Sequence, residues 1–426
     1  MDLPKGWAVS NFEDTVEILD SHREPINNTE RSKRIEGKRA DELYPYYGAT
    51  GLVGYIDGYL LEGEYVLLGE DGAPFLDGFV SKAYLVKGKI WVNNHAHVLL
   101  SKLSNKFLCY YLNAFAYKGF VSGTTRLKLT QGSMKQMPVI LPPLAEQHRI
   151  VAKIDALFSE LDKGVETLQT IRHQLRTYRQ AVLKWAFDKK GFEYRPLSEL
   201  GDLGRGKSKH RPRNDPRLFS DGKYPFIQTS EVKAANGKIK KYTAMYGDFG
   251  LKQSKLWPVG TLCITIAANI ADTAFLGVEA CFPDSVVGFT ANKELVLPKY
   301  VDFFIQSAKQ MLWYYAPATA QKNINLNTLE NLSVPYCSLD EQAQIVADIE
   351  SRLSVCDKLE SIIDENLAKA TTLRQSILKK AFAGRLVPQD PNDEPADKLL
   401  ERIKAAKLAA MPTNKPAITR RKKKNG

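Results

Sequence analysis

A chain of 426 residues, 44% of them hydrophobic, is long enough for roughly three domain equivalents with real cores. Its 60 basic residues against 48 acidic ones leave a formal charge of +12, which suits a polyanionic partner better than an acidic protein surface. The five cysteines (Cys109, Cys263, Cys281, Cys337 and Cys356) are scattered, which excludes a disulfide framework and predicts a reducing, cytoplasmic setting.

The chain opens MDLPKGWAVS, with an acid and a proline where a signal peptide would carry a basic and apolar run, so no signal peptide is predicted. Residues 1–140 read as a first globular module. It carries an early basic cluster (Arg23, Arg31, Lys33, Arg34, Lys38, Arg39) diluted by Glu24, Glu30 and Glu36. Further on, alternation along WVNNHAHVLL places His95 and His97 on one face of a strand. With no carboxylate or cysteine partners nearby, they read as structural rather than metal-binding.

Residues 141–190 read as one long helix. Ile150, Ile154, Leu157, Leu161, Leu168, Ile171, Leu175, Tyr178, Val182 and Trp185 advance by alternating steps of four and three, with Gly164 the one interruption. A 3.5-residue seam held this long argues for coiled-coil packing. At about 1.5 Å per residue such a helix spans about 65 Å. Residues 191–335 form a second module, whose Leu262–Val278 stretch (LCITIAANIADTAFLGV) is too short and polar to cross a bilayer and reads as buried strands. Residues 336–385 repeat the helix, with Ile345, Ile349, Cys356, Leu359, Ile363, Ala370, Leu373 and Ile377 along the seam; Arg352 and Asn366 are its polar exceptions. An asparagine at a seam position can fix register, and Asn366 is the candidate. Residues 386–426 are read as a short final helix and a basic tail, Arg420–Lys424.

The two helices are copies. At a constant offset of 195, Glu146-Gln147 meets Glu341-Gln342, Asp162-Lys163 meets Asp357-Lys358, Arg179-Gln180 meets Arg374-Gln375, and Ala186-Phe187 meets Ala381-Phe382. About 17 of 46 aligned positions are identical. The match reaches back to Leu129, Met134, Met137 and Val139, which face Ile324, Leu329, Leu332 and Val334. Only two copies exist, so this is a duplicated half rather than a solenoid. The predicted fold is therefore α/β (α+β): two globular domains separated by two long helices, which pair as an intramolecular antiparallel coiled coil with pseudo-twofold duplication. The intervening segments are too long for the loops of a simple helical hairpin. They look little alike in sequence, as two modules recognising different things would.

Between Arg205 and Arg217 (RGKSKHRPRNDPR) six basic residues stand against one acid, interleaved with Gly, Ser and Pro. Such a loop can follow phosphates while longer side chains reach base edges. Catalytic patterns are missing: there is no Asn/Asp-Pro-Pro-aromatic tetrapeptide for methyl transfer to an exocyclic amine, and no Gly-rich phosphate loop. Glu231-Val-Lys233 and Glu36-Gly-Lys38 mimic the end of a nuclease site but lack its preceding Pro-Asp. No base-and-orienter arrangement marks a nucleophile.

In its order of module, long helix ending RQAVLKWAF, module, and long helix ending RQSILKKAF, the chain resembles the specificity subunits of type I restriction-modification systems over nearly its full length. LPKGW at 3–7 looks like that family's opening, LPPLAEQ at 141–147 like its lead into the first long helix, and GRLVPQDPNDEPADKLLERIKA at 384–405 like its ending. GKYPFIQTSEV at 222–232, FPDSVVGF at 282–289 and WVNNHAHVL at 91–99 resemble its module sequences. The lead into the second helix departs from the pattern, with CSLDEQ in place of the usual prolines.

The resemblance implies a non-catalytic subunit. Residues 1–140 and 191–335 become target recognition domains, each reading half of a bipartite, asymmetric site in double-stranded DNA. The helices set the unread spacer and dock two copies of an adenine methyltransferase subunit, and motor-nuclease subunits complete the complex. S-adenosylmethionine, ATP and Mg are expected on those partners and none on this chain; no membrane and no metal are implied. The candidate DNA-binding residues are Lys33, Arg34, Lys38, Asn93 and Arg126 in the first module. In the second they are Arg205, Lys207, Lys209, Arg211, Arg213, Arg217, Gln228, Thr229, Ser230, Lys322 and Asn323. The alternatives are a coiled-coil interaction scaffold without DNA specificity and a self-contained modifying enzyme.

Overall fold

The computed structural model describes residues 3–188, 191–267, 269–315 and 323–410; Lys322 and the Arg420–Lys424 run lie outside the described residues. The two long helices span Leu144–Phe187 and Leu339–Phe382, 44 residues each, so both begin and both end 195 residues apart. Prolines 142 and 143 precede the first. In the second, Ser338 does their work: its backbone N–H and hydroxyl donate to Glu341 at 3.0 and 2.8 Å, and its hydroxyl oxygen accepts from Glu341 N–H at 3.3 Å. This reciprocal cap starts a helix without proline. The final helix is Ala396–Ala410. No helix among the described residues is long and apolar enough to cross a membrane.

The chain forms two compact units, one drawing on Met1–Leu168 and Glu365–Gly426, the other on Gln169–Asp364. The division falls within both long helices, because each module packs on the beginning of one helix and the end of the other. In the first unit, Ile150 and Ile154 share a core with Ile377, Leu378 and Ala381, together with Trp7 and Phe107 of the module. In the second, Leu183, Ala186 and Phe187 share a core with Ile345 and Ile349. As numbers rise along one helix they fall along its neighbour, so the segments pair antiparallel.

The ion pairs repeat the duplication. Arg374 pairs with Asp162 in the first unit, and Arg179 pairs with Asp357 at 2.5 Å in the second. These two pairs exchange under the 195-residue offset. They also correct the predicted seam. Leu359 and Leu373 are 39% and 48% exposed, and Ile171, Tyr178 and Trp185 are exposed as well. The half-covered line passes one residue further on, through Arg172, Arg179, Glu360 and Arg374. Long stems lie along the apolar surface there while charged heads pair at its margin, Arg172 with Asp364 and Arg179 also with Glu360. The remaining predicted apolar seam residues are buried or half-buried; of the two polar exceptions Asn366 is half-buried and Arg352 exposed.

The two modules share one topology. The first sheet runs in the order Val16–Ile18, Ala96–Ser101, Leu61–Gly69, Ala83–Val92, Tyr44–Gly48, Gly51–Ile56. The second runs Gly201–Arg205, Val286–Ala291, Leu262–Thr265, Thr273–Leu276, Gly237–Ile239. Through the first five strands of each, successive neighbours are antiparallel three times and then parallel. A two-stranded sheet joins the start and end of each module: Ala8–Asn11 with Pro138–Leu141, and Glu193–Pro196 with Ser333–Tyr336. Before its last strand each module has a one-turn helix, Gln131–Lys135 or Leu326–Glu330, capped by Thr130 or Asn325. This explains why the repeat extends back to Leu129 and Ile324. Those residues and their partners are all buried under the module.

A longer helix then fixes each module to the frame. Asn105–Ala114 is capped by Ser104, and Pro298–Ser307 begins with proline in its first turn. Phe107 and Tyr111 stack edge-on against Phe382 at 5.4 and 5.3 Å; Tyr300 and Phe304 do the same with Phe187 at 5.1 and 5.4 Å. Phe187 and Phe382 are repeat equivalents, so the same aromatic socket is used twice.

Candidate nucleic-acid interface

In the second module the basic loop leaves the strand Gly201–Arg205 and is folded back by its own acids and carbonyls. Asp215 caps the short turn Pro216–Leu218, accepting from Arg217 N–H at 3.0 Å, and also takes the Arg217 guanidinium at 2.7 Å and His210 at 2.7 Å. The Arg217 and His210 hydrogen bonds hold the Asp215 carboxyl well below the ordinary carboxylate range. Arg211 donates to the carbonyls of Ser208 and His210 at 2.6 and 2.8 Å. Arg213 differs: its Nη2 donates to both carboxylate oxygens of Asp284, at 2.8 and 3.0 Å, while the Asp284 carbonyl accepts from Arg205 Nε.

Asp284 thereby gathers Arg205 and Arg213 over two adjoining clefts of about 340 and 390 Å³. Arg213, Thr229 and Ser285 line both. Arg205 and Asn323 face the first, Gln228 the second. The second is floored by Phe226 and Tyr246, stacked at 4.1 Å. Gln228 caps the helix Thr229–Ala234, its backbone N–H held by Glu231 at 2.7 Å. Five of the predicted residues (Arg205, Arg213, Gln228, Thr229 and Asn323) thus converge. Lys207, Lys209 and Ser230 are exposed but line neither cleft, and Lys322 is outside the described residues.

In the first module Lys33 and Lys38 are exposed on and just beyond the helix Asn28–Ile35. Arg34 of that helix is committed internally, to Asp57 at 2.6 Å and to the face of Trp91. Asn93 is buried and shapes a turn, its Oδ1 accepting from His95 N–H at 2.8 Å. Arg126 donates to Asp71 at 2.8 Å, and Asp71 also meets His95 Nδ1 at 2.8 Å. No contact among the described residues joins Arg126 to the Lys33–Lys38 group.

The two histidines depart from expectation. The strand begins at Ala96, so His95 lies in the turn, and both rings have carboxylate partners supplied by distant segments. His97 is buried between Asp20 (2.6 Å) and the Leu129 carbonyl (2.9 Å). Asp20, Glu70 and His97 have the spacing of a cation site. However, Arg23 and Lys128 already sit on Glu70 at 2.6 and 3.2 Å and Arg23 on Asp20 at 3.3 Å, so protein cations fill that role. Burial pushes the Glu70 carboxyl up, but the hydrogen bonds from Arg23 and Lys128 and the nearby His97 outweigh it and hold it below its ordinary range. Glu36-Gly-Lys38 follows a helix and Glu231-Val-Lys233 lies within one, so neither occupies the strand a nuclease site needs.

Sequence reasoning missed Asp71 and Asp284. Neither lies in a basic run, Asp71 following Glu70 and Asp284 sitting in FPDSV, so only folding makes each the holder of a guanidinium.

The family model for the type I restriction modification DNA specificity domain matches residues 4–171 and again 189–368. A Haemophilus influenzae protein described as a type I restriction enzyme specificity subunit is 31% identical over 364 residues, covering 82% of this chain and 87% of that one. The EcoKI specificity subunit of Escherichia coli is 26% identical over 347 residues, covering 71% and 72%. Among solved structures, a chain from work on assembly and conformational transition of the type I restriction-modification system aligns with TM-score 0.68 at 18% identity, over 91% of this chain and 100% of that one. The HsdS subunit of Thermoanaerobacter tengcongensis aligns with TM-score 0.54 at 18% identity, over 91% and 99%. The match runs through both modules, and nothing in it supports a scaffold without DNA specificity.

Proposed function

The chain belongs to the type I restriction-modification DNA specificity family, and on that premise we propose that it is the non-catalytic specificity subunit of a multisubunit methyltransferase and endonuclease. Each module reads one half of a bipartite site in double-stranded DNA. The single observation that carries this reading is the shared five-strand topology of two modules whose surfaces carry different basic residues, each held on an equivalent aromatic socket of a duplicated helix pair. Equivalent mounting with unlike surfaces supports two half-sites that differ, hence an asymmetric target. The repeated frame supports two copies of one partner, an adenine methyltransferase supplying S-adenosylmethionine. Motor-nuclease subunits using ATP and Mg would complete the restriction form.

The test is genome-wide adenine methylation in the source strain with and without the gene. Deletion is expected to erase one bipartite motif with a fixed unread gap, and exchanging the first module should alter only one half of it. A motif unchanged by deletion would refute the proposal.

A further inference from the structure

Two modules that look little alike in sequence place the same device at the same corner of their shared sheet. In the first, the strand Leu61–Gly69 runs on to Asp71, which bridges to Lys128. In the second, the equivalent strand Leu262–Thr265 runs on to Ala267, which bridges to Asn323. Lys128 and Asn323 are 195 residues apart, so the two bridges are one feature seen twice. Beside each bridge is the turn that precedes the next strand of the sheet, at residues 93–95 and 283–285. At this corner Arg126 is held by Asp71, itself braced by His95 of the turn. At the other, Arg213 is held by Asp284 of the turn, over a cleft lined by Ala267 and Asn323. Different segments supply the acid, yet the product is the same.

The chemistry of that product is selective. An arginine fixed by a carboxylate has lost most of its rotamer freedom before any ligand arrives, so less is lost per new hydrogen bond. Arg213 and Arg126 remain 52% and 62% exposed, and each engages its aspartate through Nη2 alone; Nη1 and Nε have no partner among the described residues, so the second Nη2 hydrogen and one of these neighbours form an open fork. Arg217 is also held by an aspartate but lines neither cleft at this corner, and Arg211 is turned onto carbonyls of its own loop. A forked donor held at fixed orientation matches the O6 and N7 acceptors of guanine in the major groove. We infer that Arg126 and Arg213 are the guanine-reading residues of the two modules, with Asp71 and Asp284 as their positioning residues, so that each half of the target contains a G·C pair. This rests on the specificity-subunit reading and extends it.

The experiment is methylation mapping in cells carrying the complete system with wild-type chain, Arg126→Ala, Arg213→Ala, Asp71→Asn or Asp284→Asn. The wild-type motif is expected to contain a G·C pair in each half. Arg213→Ala should relax one such position by roughly 5- to 140-fold in discrimination, leaving the other half intact, and Arg126→Ala should do the reverse. Each Asp→Asn change should relax the same position as its arginine, more weakly; a merely structural role would lower methylation without changing the motif. Should an alanine variant fail to assemble, Arg213→Lys and Arg126→Lys decide, since they keep the charge but not the fork. A half-site without a G·C pair, a uniform loss across sequences, or relaxation of the same half by both arginines overturns the inference. A wild-type genome lacking any bipartite motif sinks the specificity-subunit reading itself, and the inference with it.

Discussion

Gln147 and Gln342 are repeat equivalents at the starts of the two long helices, and both are fully buried. Each donates from its amide nitrogen to the carbonyl five residues back, Pro142 or Cys337, at 2.9 Å. Gln342 does more: it also donates to the Leu295 carbonyl at 3.1 Å and accepts from Leu297 N–H at 2.9 Å, tying the helix to the approach of Pro298–Ser307. Replacing either glutamine by methionine keeps the volume and removes the bonds. At about 1 kcal/mol per neutral hydrogen bond, Gln147→Met should cost about 1 kcal/mol and Gln342→Met about 3 kcal/mol. Hydrogen exchange followed by mass spectrometry on the full chain reads the difference where it arises. Amides of 339–353 should open roughly 100-fold more readily in Gln342→Met, and those of 144–157 only about fivefold more readily in Gln147→Met. Equal effects at the two sites, or a larger one at Gln147, would refute the claim that the second module is keyed to its helix through this side chain.

Two further outcomes follow from burial. Glu146 is buried, accepting from Trp7 Nε1 at 2.9 Å through one oxygen; burial raises its carboxyl above the ordinary range, against the pull of Trp7 and Arg149. The folded state therefore holds this proton more tightly than the unfolded state, and the resulting stability is lost as pH rises through the carboxylate range. Glu146→Gln should unfold later than wild type at pH 7, with the gap closing as pH falls through that range; a gap that widens in acid would contradict this. Cys109, Cys263, Cys281 and Cys356 are buried, with burial pushing the Cys109 thiol up to about 12, whereas Cys337 is half-buried. In the native chain a maleimide should label Cys337 first and the other four only on unfolding; rapid labelling of Cys356 would show that the helix pair opens.

How much of this was legible in sequence depends on the range over which the causes act. The long helices were readable because their seam is a local periodicity written twice at a constant offset, and the duplicated Gln, Asp, Arg and Phe positions mark the contacts the frame reuses. Residue types and their runs also placed the basic loop and the candidate residues Arg213 and Arg126. The true margin of the seam was not readable: hydropathy favours Leu359 and Leu373 over Glu360 and Arg374, and only the antiparallel partner supplies the charges that reverse the choice. The common topology of the modules was hidden too, because a sheet core asks only for apolar residues at alternating or covered positions, and many sequences satisfy that. Finally, the sequence counts cations but does not say which are already spent. Asp71 and Arg126 are 55 residues apart, Asp284 and Arg213 are 71 apart, and only the folded sheet brings each acid to its guanidinium. Local pattern determined the frame and the charge; long-range contact decided which charges are held in place with donors to spare.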